Sequence, residues 1–201
     1  MTDSDQDFSQ DVKRAVLLGT YIAHWGMPKT RRVISSADGM GRIELYDFPA
    51  SHLTGGIARL ATIGVSDAFS QRDGESGIEL LFAWLPNSTL EPLAAIEDLV
   101  LDAAVYVHLE RMREQGVVLR LERGLASVEA RKFLLDEPLA EEKSVVTIGL
   151  GAAHIHLLWL VPLFDDEAAF VSARGIDQFD EARRYSAQNL FRLNRSSILR
   201  P

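Results

Sequence analysis

The stretch from Ile78 to Leu85, IELLFAWL, constrains the fold more than any other part of the chain. Its even positions (Ile78, Leu80, Phe82, Trp84) are all apolar. Its odd positions carry Leu81, Ala83 and Leu85, with Glu79 as the exception. Successive side chains of a strand point to opposite faces, so a strand apolar on both faces needs cover on both. The run predicts a central strand between two layers.

The neighbouring segments supply the rest of such an architecture. Phe8 to His24 reads as a helix, with Phe8, Val12, Val16, Gly19 and Ala23 recurring on one face, and Gly26 and Pro28 ending it. Strands are expected around Arg32 to Ser35, from Arg42 to Phe48, and from Ile57 to Gly64 after the Gly55-Gly56 turn. After the central strand, Ser88 and Glu91 have the spacing of a capping box, with Pro92 in the first turn. The helix they open carries a buried stripe of Ile96, Leu99, Val100, Ala103 and Val107, and Gly116 stops it. Val117 to Glu122, Phe133 to Leu135, Val145 to Leu150 and His154 to Leu163 read as strands. Asp165, Asp166 and Glu167 suit the positive end of a helix that Gly175 interrupts, and a second segment runs from Asp177 towards Tyr185. Helices and strands do not alternate one by one. The order predicts an α+β fold with a mixed, largely antiparallel sheet flanked by helices.

One stretch suggests catalysis. Gly64-Val65-Ser66-Asp67-Ala68 comes close to the turn that presents a nucleophilic serine. That turn needs a strand before the serine and a helix after it. The strand is present, but FSQRDGESG follows and then the central strand. Ser66 is therefore expected in a connection between strands, its hydroxyl capping a turn or bonding near Asp67. Ser66→Ala should then cost on the order of 1 kcal/mol and abolish no reaction. Asp38, Asp73 and Glu75 read as loop residues. His154 and His156 share a strand face, and with Glu141 or Glu142 they offer a zinc site for a metal-dependent hydrolase. The alternative is hydrogen-bonded structural histidines. Neither a phosphate-binding loop nor a dinucleotide fingerprint is present, and no cofactor is expected.

Charge narrows the partners. Acidic residues outnumber basic ones 29 to 21, for a net charge of −8, which argues against nucleic acid. There is no cysteine, no signal-like start, and no apolar run of membrane-spanning length, so a cytoplasmic protein is expected. Residues 183 to 201 hold five arginines and no acid. A domain over residues 1–184 is expected, followed by an Arg-rich tail over 185–201, with Leu190, Phe191 and Leu193 as anchors that would let it dock. A regulatory or scaffold module with that tail as a switch is a further reading.

Taken together, RIELYDFPA, LATIGVSD, GIELLFAWLP and LLWLVPLFDDEAAFVSARGID resemble the Suppressor of Fused domain family over roughly residues 20 to 182. The resemblance is carried by Thr62, Gly64 and Ser66, by Glu79 before Leu80 and Leu81, and by Pro162, Glu167 and Gly175. It implies an α+β fold and a protein-binding role without catalysis. The animal member pairs with an extended peptide of a transcription factor, and bacterial relatives look like immunity proteins that neutralise a polymorphic toxin. For this chain it implies an immunity protein with a toxin partner, a basic one given the acidic body. Ser66, Asp67 and Glu79 are singled out as candidate partner-binding residues.

Overall fold

A computed structural model describes residues 3–35, 41–68, 76–89, 91–125 and 130–200, without the side chains of residues 3–9, 53 and 68. Its strands are β1 (Thr30–Ser35), β2 (Arg42–Phe48), β3 (Ala58–Ile63), β4 (Gly77–Trp84), β5 (Val118–Leu125), β6 (Ala130–Asp136), β7 (Thr147–Leu150) and β8 (Ala153–Leu163). Its helices are α1 (Asp3–Trp25), α2 (Leu93–Glu110), the single turn α3 (Lys143–Val146), α4 (Asp165–Arg174) and α5 (Ile176–Tyr185). Asp38, Asp73 and Glu75 lie outside the described residues.

The strands form one mixed sheet in the order β1-β2-β3-β4-β8-β6-β5, with β7 also on β8. The β4–β8 pair is parallel, and the other pairs are antiparallel. All eight residues of β4 are buried, as a strand apolar on both sides requires. One face carries Ile78, Leu80, Phe82 and Trp84 of β4 and Leu158 and Leu160 of β8 against α2. The other carries Leu81, Ala83, Leu157, Trp159 and Val161 against α1, α4 and α5.

Three local expectations need correction. Within α1 the buried stripe is Lys13, Leu17, Tyr21 and Trp25, while Val12 and Val16 are exposed. Burying Tyr21 and Trp25 removes more apolar area from water than burying two valines does. The two rings stack at 4.9 Å and meet Phe48 edge-on. The stripe tolerates Lys13 because its ammonium meets Asp67 at 2.7 Å. Second, α2 starts after Pro92 rather than at a Ser88–Glu91 box, and it ends with Arg111 in the left-handed region rather than at Gly116. Ser88 instead closes a short 3-10 turn, Pro86–Ser88, and its hydroxyl donates to the Leu85 carbonyl at 2.6 Å. Third, the Val145–Leu150 run is helical at its start: Val145 and Val146 belong to α3, and β7 begins at Thr147.

Residues 186–200 pack across the domain. Leu190 and Ile198 are buried in the α1-side core, and Leu193 in the α2-side core. Phe191 stacks on Trp159 at 4.7 Å. Leu85 N–H donates to the Phe191 carbonyl at 2.8 Å, and Leu193 N–H to Ser88 Oγ at 3.0 Å. The segment thus crosses from one layer to the other.

Candidate functional site

The three residues singled out for partner contact meet at one place, where β3 turns towards β4. Ile63 ends β3, and Val65–Ala68 form a short 3-10 helix. Gly64 makes the bend possible. Its φ is +115°, and a Cβ there would lie 2.2 Å from the Arg42 carbonyl oxygen, so only glycine suits both the angle and the space. The bend turns three consecutive amides inward onto Glu79. Gly64 N–H donates to Oε1 at 2.9 Å, Val65 N–H to Oε2 at 3.2 Å and Ser66 N–H to Oε1 at 3.2 Å. Two hydroxyls add to them: Thr62 Oγ1 donates at 2.7 Å and Ser66 Oγ at 2.6 Å. Glu79 is 0% exposed and Ser66 1%. A buried carboxylate is tolerable when its acceptor capacity is filled in this way.

This geometry fixes what Ser66 does. Its hydroxyl donates a hydrogen bond to the carboxylate of Glu79 inside the protein. A histidine does come near: His108 of α2 is buried, with Nδ1 3.2 Å from the Val65 carbonyl oxygen. It ties the turn to α2 and has no hydrogen bond to the serine hydroxyl. The arrangement holds a turn and exposes no nucleophile. Burial, and secondarily the Glu79 charge, push the nearby Tyr21 phenol well above its ordinary range.

Asp67 belongs to a different set of contacts. Its side chain accepts from Lys13 at 2.7 Å and from Arg14 at 2.5 Å, which fastens α1 to the end of the 3-10 turn. Arg14 also reaches Glu44 of β2 at 3.1 Å and the Arg42 carbonyl at 2.7 Å. Glu44 is buried and receives two more guanidiniums, Arg31 at 2.7 Å and Arg42 at 2.6 Å, together with the Tyr46 hydroxyl at 2.5 Å. Burial and then the Glu44 hydrogen bond push the Tyr46 phenol up to about 12. This cationic cluster sits on the α1 face of β1 and β2. No single residue type in the sequence announces it. The β1–β2 register, which sets Val33 against Glu44 and Ser35 against Arg42, brings it together.

A third buried carboxylate governs the C-terminal segment. Glu167, in the first turn of α4, is 0% exposed. Arg195 forks onto it at 2.5 and 2.8 Å and donates to the Pro162 carbonyl at 2.8 Å. The Phe164 and Ile198 amides complete the site at 3.0 and 2.8 Å. At Asp166, burial acts upwards, but hydrogen bonds from Ser197, the Glu167 amide and Arg200 bring the carboxyl below its ordinary range.

The two histidines proposed for zinc lie on β8, with His154 exposed and His156 Nδ1 3.2 Å from Thr147 Oγ1. Glu141 is committed to Arg59 and to the Trp25 indole, each at 2.7 Å. Glu142 faces His24 at 3.8 Å. Among the described residues no group of three or more His, Asp or Glu side chains is placed to hold a metal ion. Nor, among them, is any helix long and apolar enough to cross a membrane.

Six of the residues that carry the family resemblance, Thr62, Gly64, Ser66, Glu79, Pro162 and Glu167, meet in these two cradles. A family model described as Suppressor of fused protein (SUFU) matches residues 41–196. The chain belongs to the Suppressor of fused protein family. Solved structures of family members share its fold. A Suppressor of fused homolog from Neisseria gonorrhoeae FA 1090 superposes with a TM-score of 0.69 at 13% identity, covering 95% of this chain and 99% of that one. A chain of a Sufu–Fu complex gives 0.60 at 15% identity, covering 89% and 84%. Drosophila Suppressor of Fused gives 0.64 at 14% identity, covering 94% of this chain but 51% of the fly protein. No curated protein sequence matches the chain. In this chain the Thr62-x-Gly64-x-Ser66 run and Glu79 are one device: hydroxyl, bend, hydroxyl and the carboxylate they enclose.

Proposed function

We propose that this chain is a non-catalytic protein-binding domain that acts as a cytoplasmic immunity protein, neutralising a cognate bacterial toxin. The observation that carries the reading is the family match over residues 41–196, joined to the likeness to a chain of a Sufu–Fu complex. The chemistry of the turn agrees with it, since Ser66 is sequestered by Glu79. A net charge of −8 favours approach of a basic toxin. In this reading residues 1–184 form the binding domain, with 185–201 as a strap across it. Ser66, Asp67 and Glu79 serve binding by keeping the turn after β3 and the α1 attachment in shape. The test is co-expression with the product of the adjacent gene. Protection of cells from that product, and a purified complex of the two, are expected. Lack of both binding and protection ends the immunity reading.

A further inference from the structure

We propose that the outward face of α1 pairs, antiparallel and about a two-fold axis, with the same face of a second copy of this chain. The helix carries two apolar stripes. One is buried on the sheet. The other, Val12, Ala15, Val16, Gly19 and Ala23, is exposed, with Val12 at 46% and Val16 at 38%. Single exposed valines are ordinary on a surface. An apolar helix face continuous over about three turns is a surface that asks for cover. Between Val12 and Ala23 the only charged residues are Lys13 and Arg14. Both are held by Asp67, and Arg14 by Glu44 as well. Thr20 turns its hydroxyl back onto the Val16 carbonyl at 2.9 Å.

Gly19 is the least expected member of the stripe. A glycine inside a helix destabilises it relative to alanine. Nothing within the described chain calls for one here: its φ is not left-handed, and a Cβ would meet no atom within 4 Å. At an exposed position, a missing side chain leaves room for another helix to approach.

Shape and charge select a second copy and its direction. A two-fold axis passing between residues 17 and 18 sets Val12 against Ala23 and Val16 against Gly19, a large side chain over a small one each time. A parallel pair would set valine on valine and leave a gap between two glycines. The start of α1 holds Asp3, Asp5, Asp7 and Asp11. Parallel alignment would stack the two acidic starts. Antiparallel alignment keeps them apart and brings each towards Lys29 of the other copy, exposed just beyond the helix. A contact of one helix face is smaller than the roughly 800 Å² per partner of a standard interface, so pairing follows concentration. Two copies at −8 repel each other, so salt strengthens the pair. Such pairing needs no toxin.

Sedimentation equilibrium of the full chain from micromolar to millimolar concentration tests it. A monomer–dimer equilibrium is expected, at least tenfold tighter in high salt than in low. Gly19→Leu should weaken the dimer at least tenfold while the monomer stays folded, because the new side chain enters open space and leucine favours a helix. The chain has no cysteine, so thiol crosslinking reads the direction cleanly. Val12→Cys mixed with Ala23→Cys should give covalent dimers with a short bismaleimide, and neither variant should do so alone. A monomer at every concentration, a dimer indifferent to Gly19→Leu, a dimer that salt dissolves, or Val12→Cys crosslinked to itself each overturns the proposal. So does a monomer whose residues 12–23 gain exchange protection only on binding the cognate protein, which would assign the face to that protein.

Discussion

Glu79→Ala should remove a large part of the stability of the fold. The substitution leaves five donors without their acceptor: the amides of Gly64, Val65 and Ser66 and the hydroxyls of Thr62 and Ser66. The hydroxyls can rotate towards other acceptors. The amides are fixed by the bend at Gly64 and cannot. A buried donor without a partner costs about 1–3 kcal/mol, so three amides set the loss at roughly 3–9 kcal/mol. Domains of this kind have only about 5–15 kcal/mol in hand. Glu79→Gln is the informative companion. Its carbonyl can keep the Oε1 contacts, while its NH₂ would face Thr62 and Val65. Thr62 can turn to accept, and Val65 N–H cannot. The loss then falls to that of one opposed amide and a weakened acceptor, roughly 2–4 kcal/mol. Urea unfolding followed by tryptophan fluorescence measures both through the midpoint at constant slope. The order wild type, Gln, Ala in falling stability is expected. An alanine variant within about 1 kcal/mol of wild type would refute the reasoning, as would a glutamine variant less stable than the alanine one.

Ser66→Ala should cost roughly 1.5–3 kcal/mol, above the value for a neutral partner because the acceptor is a carboxylate, and urea midpoints check it. Arg195→Met should cost about 3–5 kcal/mol by stranding the Glu167 charge, and should open the segment after Tyr185 to protease; pairing it with Glu167→Gln should restore part of the loss. Tyr46 is protonated more tightly in the folded state, so its contribution is complete below about pH 10 and is lost as pH rises towards about 12. Tyr46→Phe should flatten that alkaline decline in a stability–pH curve, and an unchanged curve would argue against it. Elemental analysis of tag-free protein should find no stoichiometric metal, and one zinc per chain would reopen the His154–His156 site.

The layers were legible because apolar periodicity is a property of whole segments. β4, buried on both faces, and the α2 stripe of Ile96, Leu99, Val100, Ala103 and Val107 follow from it directly. The face of α1 was not, since valines at the right spacing compete with larger rings on the adjacent stripe, and Lys13 disguises that stripe as polar. Helix ends failed for a related reason. Ser88 has the composition of a cap, but the Leu85 carbonyl and the Leu193 amide claim its hydroxyl, and the second contact comes from a residue 105 positions away. The same holds at the candidate site. Ser66 and Glu79 could be singled out separately from their types and positions. That one is the acceptor for the other depends on β3 and β4 being neighbours and on the angle at Gly64. His108 and the arginines around Glu44 leave no local signal, because pairing between strands and helices assembles them.

The position of β8 bears on how the chain reaches this state. It comes last in chain order among the eight described strands, yet it lies in the interior of the sheet, parallel to β4 and antiparallel to β6. On the ribosome the meander β1 to β4 and the β5–β6 hairpin can form early from local pairings, each leaving an unfilled margin. Only β8 joins them, and its parallel registration with β4 spans most of a hundred residues, the sort of distant closure that folds slowly and aggregates while it waits. Nascent chains halted before Ala153 should therefore be the species that chaperones hold.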